Sequence, residues 1–281
     1  MSKLMWLFLF PFLASLILFV LPAEISRKNL KRLAIILSLA PLIMLLFFHP
    51  ENWLGQRVEY AWLAPLAIYF HLNVDALSLL FLYLTAIIIP ISLFAVRDDE
   101  FASASLFYGF VLLLQGLLIG FFTARDLVLF TIFWEAMLFP LYFIITIWGG
   151  EKRRIAALKF LIYMIAGSSL LVAAVLSLYF SSAANGTGTF NLDALAGIAE
   201  NAPHAPWLAA IFFLAFSVKT PLFPFHAWLP DAYYQAPTTG TILLSALLSK
   251  AGIYGFLRLG LGLFPSLLQA WSPWLLGLAI A

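Results

Sequence analysis

The sequence has no cysteine, so it cannot form disulfides, thiolate zinc sites or cysteine-bound iron–sulfur clusters. Charged residues are also few, at 10% of the 281. A soluble domain has about 25%, so this chain cannot cover a water-facing surface. The net charge of +2 is too small to indicate a nucleic-acid partner. No G-x-G-x-x-G, P-loop or H-E-x-x-H motif is present, which leaves nucleotide binding and zinc hydrolysis without a motif.

Hydrophobic residues are abundant instead, at 64%, with a mean hydropathy of +1.03. A helix needs about 20 mostly apolar residues to cross a bilayer. This rule predicts about eight crossings and the start of a ninth at Trp271, cut off at Ala281. The first run is longer than the roughly 7–15 apolar residues of a signal peptide, so we expect a transmembrane helix there. The predicted crossings are Leu4–Pro22, Leu33–Phe48, Asp75–Val96, Ser103–Thr123, Leu127–Trp148, Ala156–Phe180, Trp207–Pro230 and Thr239–Leu261.

Two segments between these runs differ from them. Around Ala64-Pro65, aromatic and β-branched residues alternate with polar ones, which predicts a short surface hairpin near residues 57–73. Residues 181–206 are rich in Gly, Ala and Asn, and we expect an extramembrane loop.

Lysine and arginine are unevenly shared between the two sets of alternating loops. One set holds Arg27, Lys28, Lys31, Arg32, Arg97, Lys152, Arg153 and Arg154, and the other holds Lys3, Arg57, Arg125 and, at the end of the eighth crossing, Arg258. The positive-inside rule predicts that the first set faces the cytoplasm. The N-terminus is then expected outside, and the link near Asp231–Thr238 inside.

Three ionisable residues fall deep within the predicted crossings. Glu135 lies ~14 Å into its span, Lys250 lies at similar depth, and Lys219 follows a long apolar run. A Lys or Asp at a helix centre costs roughly 2.5–3.5 kcal/mol on insertion scales, so such groups are seldom unpaired. The three deep charges together favour a proton relay. The alternative is a structural ion pair that docks helices against each other. Snorkelling suits Lys159, near the interface, better than Lys250.

The stretch "SVKTPLFPFHAWLPDA" predicts a broken helix. Pro221 and Pro224 remove backbone donors within a turn of Lys219. Broken helices at membrane depth are tolerated where the freed backbone lines a cavity or is packed in protein, and transporters use them as ion sites. A plain proline kink is the alternative. His226 is either a proton carrier or a packed, hydrogen-bonded histidine.

Four stretches carry a family resemblance: "FWEAMLFPLYFIITIWGG", "AALKFLIYMIAGSS", "FSVKTPLFPFHAWLPDAYYQAPTTG" and "LLSKAGIYGFLRL". Together with "HLNVDALSLLF", they resemble the antiporter-like membrane subunits of respiratory complex I. The resemblance runs in order along nearly the whole chain. It implies an all-α polytopic bundle with a broken helix near Lys219–Pro224, and a first five-helix repeat over residues 103–261, after three helices in 1–102. Residues 262–281 would begin a truncated ninth helix.

The resemblance also implies roles. Glu135 would pair with Lys219 on the broken helix, Lys250 would pass protons toward the subunit centre, and His226 and Asp231 would follow the break. The subunit would translocate protons in the cytoplasmic membrane, beside other membrane subunits and lipid. It would hold no cofactor or metal itself. NADH, FMN, iron–sulfur clusters and quinone would belong to partner subunits.

Length is the departure from the family pattern. Members have about fourteen helices in two inverted five-helix repeats, and this chain is expected to hold the first repeat only. It would then be a fragment or depend on a partner for the second half. Other interpretations are a subunit of a Mrp-type Na⁺/H⁺ antiporter or a membrane-bound hydrogenase, and a non-pumping structural remnant.

Overall fold

The computed structural model describes residues 2–22, 25–97, 103–184, 186, 188–202 and 204–280, with the helical backbone alone for 278–280. The predicted boundary at residue 102 and the predicted end at residue 281 lie outside these ranges. Within them, seven helical segments are long and apolar enough to cross a membrane. They are α1 (Lys3–Val20), α2 (Arg27–Phe47), α3 (Ala76–Phe94), α4 (Ala104–Thr123), Leu127–Trp148, α7 (Arg153–Ala184) and Thr238–Leu263.

The bundle is built around α4, which is buried along almost all of its length. Helix α1 packs along it, and two glycines of α4 make that close approach possible. A Cβ at Gly109 would come within 2.3 Å of the Phe19 ring, and one at Gly116 within 2.8 Å of the Phe12 ring. The phenylalanines of α1 therefore fill the space that these glycines leave.

The hairpin predicted around Ala64-Pro65 is present. Strand β1 (Arg57–Leu63) pairs antiparallel with β2 (Ile68–Asn73), so that Arg57 lies opposite Asn73. A 3₁₀ turn over Ala64–Leu66 joins the strands. The amide of Tyr69 donates to the Asp126 carboxylate at 3.0 Å, which ties β2 to the start of the fifth crossing.

The crossing predicted at Trp207–Pro230 is broken, as the two prolines predict. The apolar helix α9 (Ala205–Lys219) ends at Lys219, and helix resumes only with α10 (Leu229–Gln235). The fifth crossing is also interrupted, into α5 (Leu127–Ala136) and α6 (Leu138–Trp148), because Pro140 cannot donate to the Ala136 carbonyl. A short helix, α8 (Leu192–Ala199), lies in the 181–206 segment.

The next crossing is a composite of α-helix and π-turns. Helix α11 (Thr238–Leu243) is followed by a π-turn over Leu244–Leu248, then α12 (Ser249–Gly255). A second π-turn over Phe256–Gly260 and α13 (Leu261–Leu263) complete it. Helix α14 (Pro265–Ile280) begins earlier than the predicted Trp271, because proline is well suited to the first turn of a helix.

Contacts between loops agree with the predicted alternation. Lys3 donates to the carbonyl of Asn52, which places the start of α1 beside the loop that follows α2. At the other end, the amide of Gly150 donates to the carbonyl of Gln235 at 2.8 Å. The Asp231–Thr238 link therefore shares a face with the positively charged 152–154 loop. Which face is cytoplasmic stays a prediction.

Candidate functional site

The helix break places a lysine inside the protein. Lys219 is the last residue of α9 and is 1% exposed. Its ammonium donates to the carbonyl oxygen of Trp134 at 2.9 Å and lies 3.5 Å from the centroid of the Trp134 indole. The face of an aromatic ring attracts a cation electrostatically. The two groups in contact with this amine, the carbonyl and the indole of Trp134, are therefore both neutral.

Two hydrogen bonds stabilise the break. Pro221 has no N–H to give to the carbonyl of Ser217, so the amide of Leu222 donates to it instead at 2.8 Å. The indole N–H of Trp228 donates to the Val218 carbonyl at 2.9 Å. Buried carbonyls near the break are therefore satisfied without a continuous helix.

Glu135 lies one residue after Trp134 and is half-buried. It interacts electrostatically with Lys219, although the Lys219 ammonium donates its hydrogen bond to the Trp134 carbonyl rather than to the Glu135 carboxylate. Pro140 interrupts the helix two residues after Glu135, at Met137. The structure therefore brings together the two residues predicted to form the pair, through Trp134 rather than as a direct ion pair.

Lys250 is placed differently from Lys219. Its side chain is exposed on the surface of this chain, and its ammonium donates to the Ser245 carbonyl at 2.9 Å. Ser245 lies in the first π-turn, so the lysine is bonded to a backbone carbonyl of that turn. The structure does not bring Lys250 into contact with Glu135 or Lys219.

The span of Lys250 nevertheless packs directly on the helix break. A Cβ at Gly252 would lie 2.4 Å from Oγ1 and 2.8 Å from the backbone N of Thr220, the residue after Lys219. One turn on, a Cβ at Gly255 would lie 2.6 Å from the Phe216 ring. These two glycines allow the backbones of α9 and α12 to meet.

His226 and Asp231 occupy the segment after the break. His226 is half-buried, and its Nδ1 atom is buried without a hydrogen-bond partner in the described part of the chain. Asp231 is exposed and accepts from the Lys159 ammonium at 2.7 Å. The snorkelling interpretation of Lys159 is thereby refined, because the lysine ends in a surface ion pair. Among the described residues, neither His226 nor Asp231 forms a hydrogen bond or ion pair with Lys219.

A charged cluster at the opposite end of the same helices was missed by the sequence analysis. Asp75, the N-cap of α3, accepts from Arg258 through both oxygens, at 2.6 and 2.7 Å, and from Arg125 at 2.7 Å. Burial raises the pKa of Asp75, but the hydrogen bonds from Arg258 and Ser78 and the charge of Arg258 together outweigh it and hold the pKa well below its usual range. Arg125 also pairs with Asp193 at 3.1 Å. The available signal was an aspartate directly before an apolar helix.

Metal binding was not expected. Across the described ranges, His, Asp and Glu side chains form no group of three or more that could hold a metal ion.

Residues 124–281 match the family model described as NADH:quinone oxidoreductase/Mrp antiporter, transmembrane. The chain belongs to this family. The resemblance seen in the motifs is thereby confirmed, as are the polytopic helical fold and the membrane location. The matched segment contains Glu135, Lys219 and Lys250, together with the helix break.

Relatives and a solved structure agree with this assignment. NADH-quinone oxidoreductase subunit M of Rickettsia prowazekii is 38% identical over 252 residues, which is 88% of this chain and 50% of the relative. The Pseudomonas aeruginosa subunit M is 36% identical over 291 residues, 95% of this chain and 56% of the relative. A chain of respiratory complex I from Thermus thermophilus superimposes with a TM-score of 0.84 at 30% identity, covering 98% of this chain and 56% of that one. The chain spans about half the length of the curated relatives it matches.

Proposed function

We propose that this chain is part of a proton-translocating membrane subunit of NADH:quinone oxidoreductase. Protons would move through Glu135, Lys219 and Lys250 while quinone is reduced elsewhere in the complex. The observation that carries the proposal is Lys219, a buried amine at a helix break, held by a carbonyl and an aromatic face beside a carboxylate. Intramembrane ionisable groups of this kind mark ion pathways.

The geometry suits reversible loading of Lys219. A direct salt bridge would favour one protonation state strongly, because an opposite charge in contact stabilises the ion. Here the neutral Trp134 groups make the contact and Glu135 acts from farther away. A change in the position or charge of Glu135 would then shift the balance between the ammonium and the neutral amine. In this proposal, the helix break would let water or a neighbouring group reach the nitrogen, which is buried in this conformation.

The remaining predicted residues take secondary parts in this proposal. His226 and Asp231 follow the break, and Asp231 with Lys159 reaches the face of the 152–154 loop. They would connect Lys219 to that aqueous face. Lys250 would carry the proton onward from the exposed surface of the chain. The division of the chain into three N-terminal helices in residues 1–102 and a five-helix repeat in residues 103–261 is part of the proposal as well.

Partners follow from the same assignment. Electron transfer from NADH through FMN and iron–sulfur clusters to quinone would occur in other subunits, and this chain would contact neighbouring antiporter-like subunits in the cytoplasmic membrane. Its N-terminus would face outward. The family description also names Mrp antiporters, so Na⁺/H⁺ exchange is the second candidate.

Inverted membrane vesicles from the native organism test the proposal. Deleting the gene should abolish NADH-driven proton uptake and the coupled quinone reduction, and the wild-type gene should restore both. Restoration by a Lys219→Ala gene would contradict the proposed role of that residue. Sodium-driven proton release that is lost with the gene, with NADH oxidation unchanged, would instead favour the antiporter.

A further inference from the structure

One carboxylate joins the two helices that bear the relay residues. The Asp75 Oδ2 atom accepts from Arg258 at 2.6 Å and from Arg125 at 2.7 Å. Its Oδ1 atom accepts from Arg258 at 2.7 Å and from the amide of Ser78 at 2.8 Å. The two arginine residues are 8% and 9% exposed, whereas the Asp75 side chain is 37% exposed, so the cluster is buried on the side of the guanidinium groups. Each oxygen of Asp75 therefore has two donors.

The bond to Arg258 fixes how the Lys250 span is rotated about its axis. A bidentate pair between a guanidinium and a carboxylate has a defined plane as well as a defined distance. The Nε of Arg258 also donates to the Tyr254 hydroxyl at 2.9 Å, and that hydroxyl donates to the Phe122 carbonyl at 2.7 Å. Lys250 is eight residues earlier on the same span, ~12 Å along it. A rotation at Arg258 would be carried to Lys250.

The bond to Arg125 fixes the start of the Glu135 helix. Arg125 directly precedes Asp126, whose carboxylate caps α5 through the amides of Val128 and Leu129. The Arg125 amide donates to the His71 carbonyl at 2.8 Å. Both the side chain and the backbone of Arg125 are thus held at the N-terminal end of the helix that carries Glu135.

We propose that Asp75 is a positioning residue for the relay: through Arg258 and Arg125 it sets the rotation of the Lys250 span relative to the Glu135 helix. This inference rests on the proposed function, since it assigns Asp75 a part in the same relay. Asp75 itself lies at the far end of the helices and touches neither relay residue. Its effect is on the direction in which Lys250 points.

The sequence has no cysteine, so thiol labelling can report the direction of the side chain at position 250 without a measurement of activity. Lys250→Cys is made in the native organism, and the rate of its reaction with N-ethylmaleimide is measured on this chain in native membranes. We expect Asp75→Asn to change that rate by at least about twofold, the low end of coupling between packed elements. Asp75→Glu, which keeps the charge, should return it toward the wild-type rate. Glu200→Gln is the matched control, because Glu200 accepts from the Ser266 amide at an exposed site.

Two further variants separate positioning from folding. Ile165→Cys, on an exposed face of α7, should react at the same rate with and without Asp75→Asn. Asp75→Asn combined with Arg258→Gln removes the carboxylate and one guanidinium together and leaves Arg125 its ion pair with Asp193, and the altered rate at position 250 should persist. A wild-type rate in that double variant, or its loss from the membrane together with the single variant, would overturn the proposal by reducing the contact to a folding role. So would an unchanged rate in assembled Asp75→Asn.

Proton pumping, measured with Lys250 intact, distinguishes this inference from the proposed function. An altered rate at position 250 with normal pumping in Asp75→Asn would uphold the positioning and contradict the relay. Loss of pumping in Glu135→Gln with an unaltered rate at position 250 in Asp75→Asn would do the reverse.

Discussion

The Lys219 ammonium lies over the indole of Trp134 and donates to the carbonyl of the same residue, at 3.5 Å from the ring centroid and 2.9 Å from the oxygen. Trp134 is in turn oriented by its own N–H, which donates to the Ser168 hydroxyl at 3.1 Å. A substitution of Trp134 removes the ring contact but leaves the carbonyl. The two components of this site can therefore be tested separately.

Trp134→Leu should weaken retention of the ammonium by the ~0.5–2 kcal/mol of a cation–π contact and lower the pumping rate. Trp134→Phe keeps an aromatic face and should be milder. Ser168→Ala removes the acceptor of the indole N–H and leaves the ring, so it serves as the control. The measurement is NADH-driven proton uptake by inverted vesicles with equal amounts of assembled complex. Equal rates in the leucine and phenylalanine variants would show that the ring plays no part.

Glu135→Gln should impair pumping and the coupled quinone reduction, because Lys219 then lacks its nearby counter-charge in a low-dielectric site. Glu135→Asp keeps the charge and should retain part of the activity. Lys219→Ala should be as severe as Glu135→Gln, and Lys159→Ala, in an exposed ion pair, should be milder. Protons pumped per quinone reduced are measured in assembled complexes. Wild-type rate and stoichiometry in Glu135→Gln would leave only the helix-docking interpretation.

Local sequence was enough to predict the membrane spans and the break. Apolar runs of fixed length define crossings, and Pro221 and Pro224 interrupt a helix wherever it packs. The hairpin also followed from a local signal at Ala64-Pro65. These features depend on neighbours in the chain, which the sequence displays directly.

Side-chain partners were not predictable in this way. Lys219 contacts Trp134 because of how α9 is rotated against α5, and that rotation depends on packing across the whole bundle. Arg258 was predicted at the end of its crossing and counted with the cations of the adjoining loops, and the structure buries it in the second π-turn against Asp75. A π-turn adds a residue to the helical repeat and changes the direction of the side chains that follow. The sequence gives no local sign of that insertion.

Tyr234→Cys tests the orientation of the chain. Tyr234 is 86% exposed, in the link that shares a face with the 152–154 loop. An impermeant thiol reagent should react with it in inverted vesicles and not in intact spheroplasts, because the positive loops are expected to face the cytoplasm. Tyr60→Cys, 60% exposed on the hairpin, should show the opposite pattern. Reversed patterns at both positions would invert the predicted topology.

His71 should make stability fall at mildly acidic pH. Its ring nitrogens are buried without partners among the described residues, and burial lowers the pKa of His71 from its ordinary 6.5. Above pH 6.5 both folded and unfolded states are neutral at this residue. As the pH falls from there toward the lower folded pKa, the unfolded state takes up the proton first, so stability is lost.

The check for His71 is the thermal unfolding midpoint of the detergent-solubilised protein between about pH 5 and pH 8. His71→Leu should flatten the acid side of the profile. His49→Asn, at a side chain that is 70% exposed, should leave the profile unchanged. An equal acid slope in wild type and His71→Leu would assign the pH dependence to other groups.

Gly252→Ala should separate the Lys250 span from the helix break. The new methyl group would stand 2.4 Å from Oγ1 and 2.8 Å from the backbone N of Thr220, and backbone atoms cannot rotate away. We expect this overpacking to lower the free energy of unfolding by about 1–3 kcal/mol and to reduce the protons pumped per quinone reduced.

Gly262→Ala is the matched control on the same span, because its Cβ would meet nothing within 4 Å. Thr220→Ala should relieve Gly252→Ala only in part, since it removes Oγ1 and leaves the amide. Thermal unfolding in detergent and proton uptake by vesicles are both measured. If Gly252→Ala matched Gly262→Ala in both measurements, the close approach at Thr220 would have no role in holding the two lysine-bearing helices together.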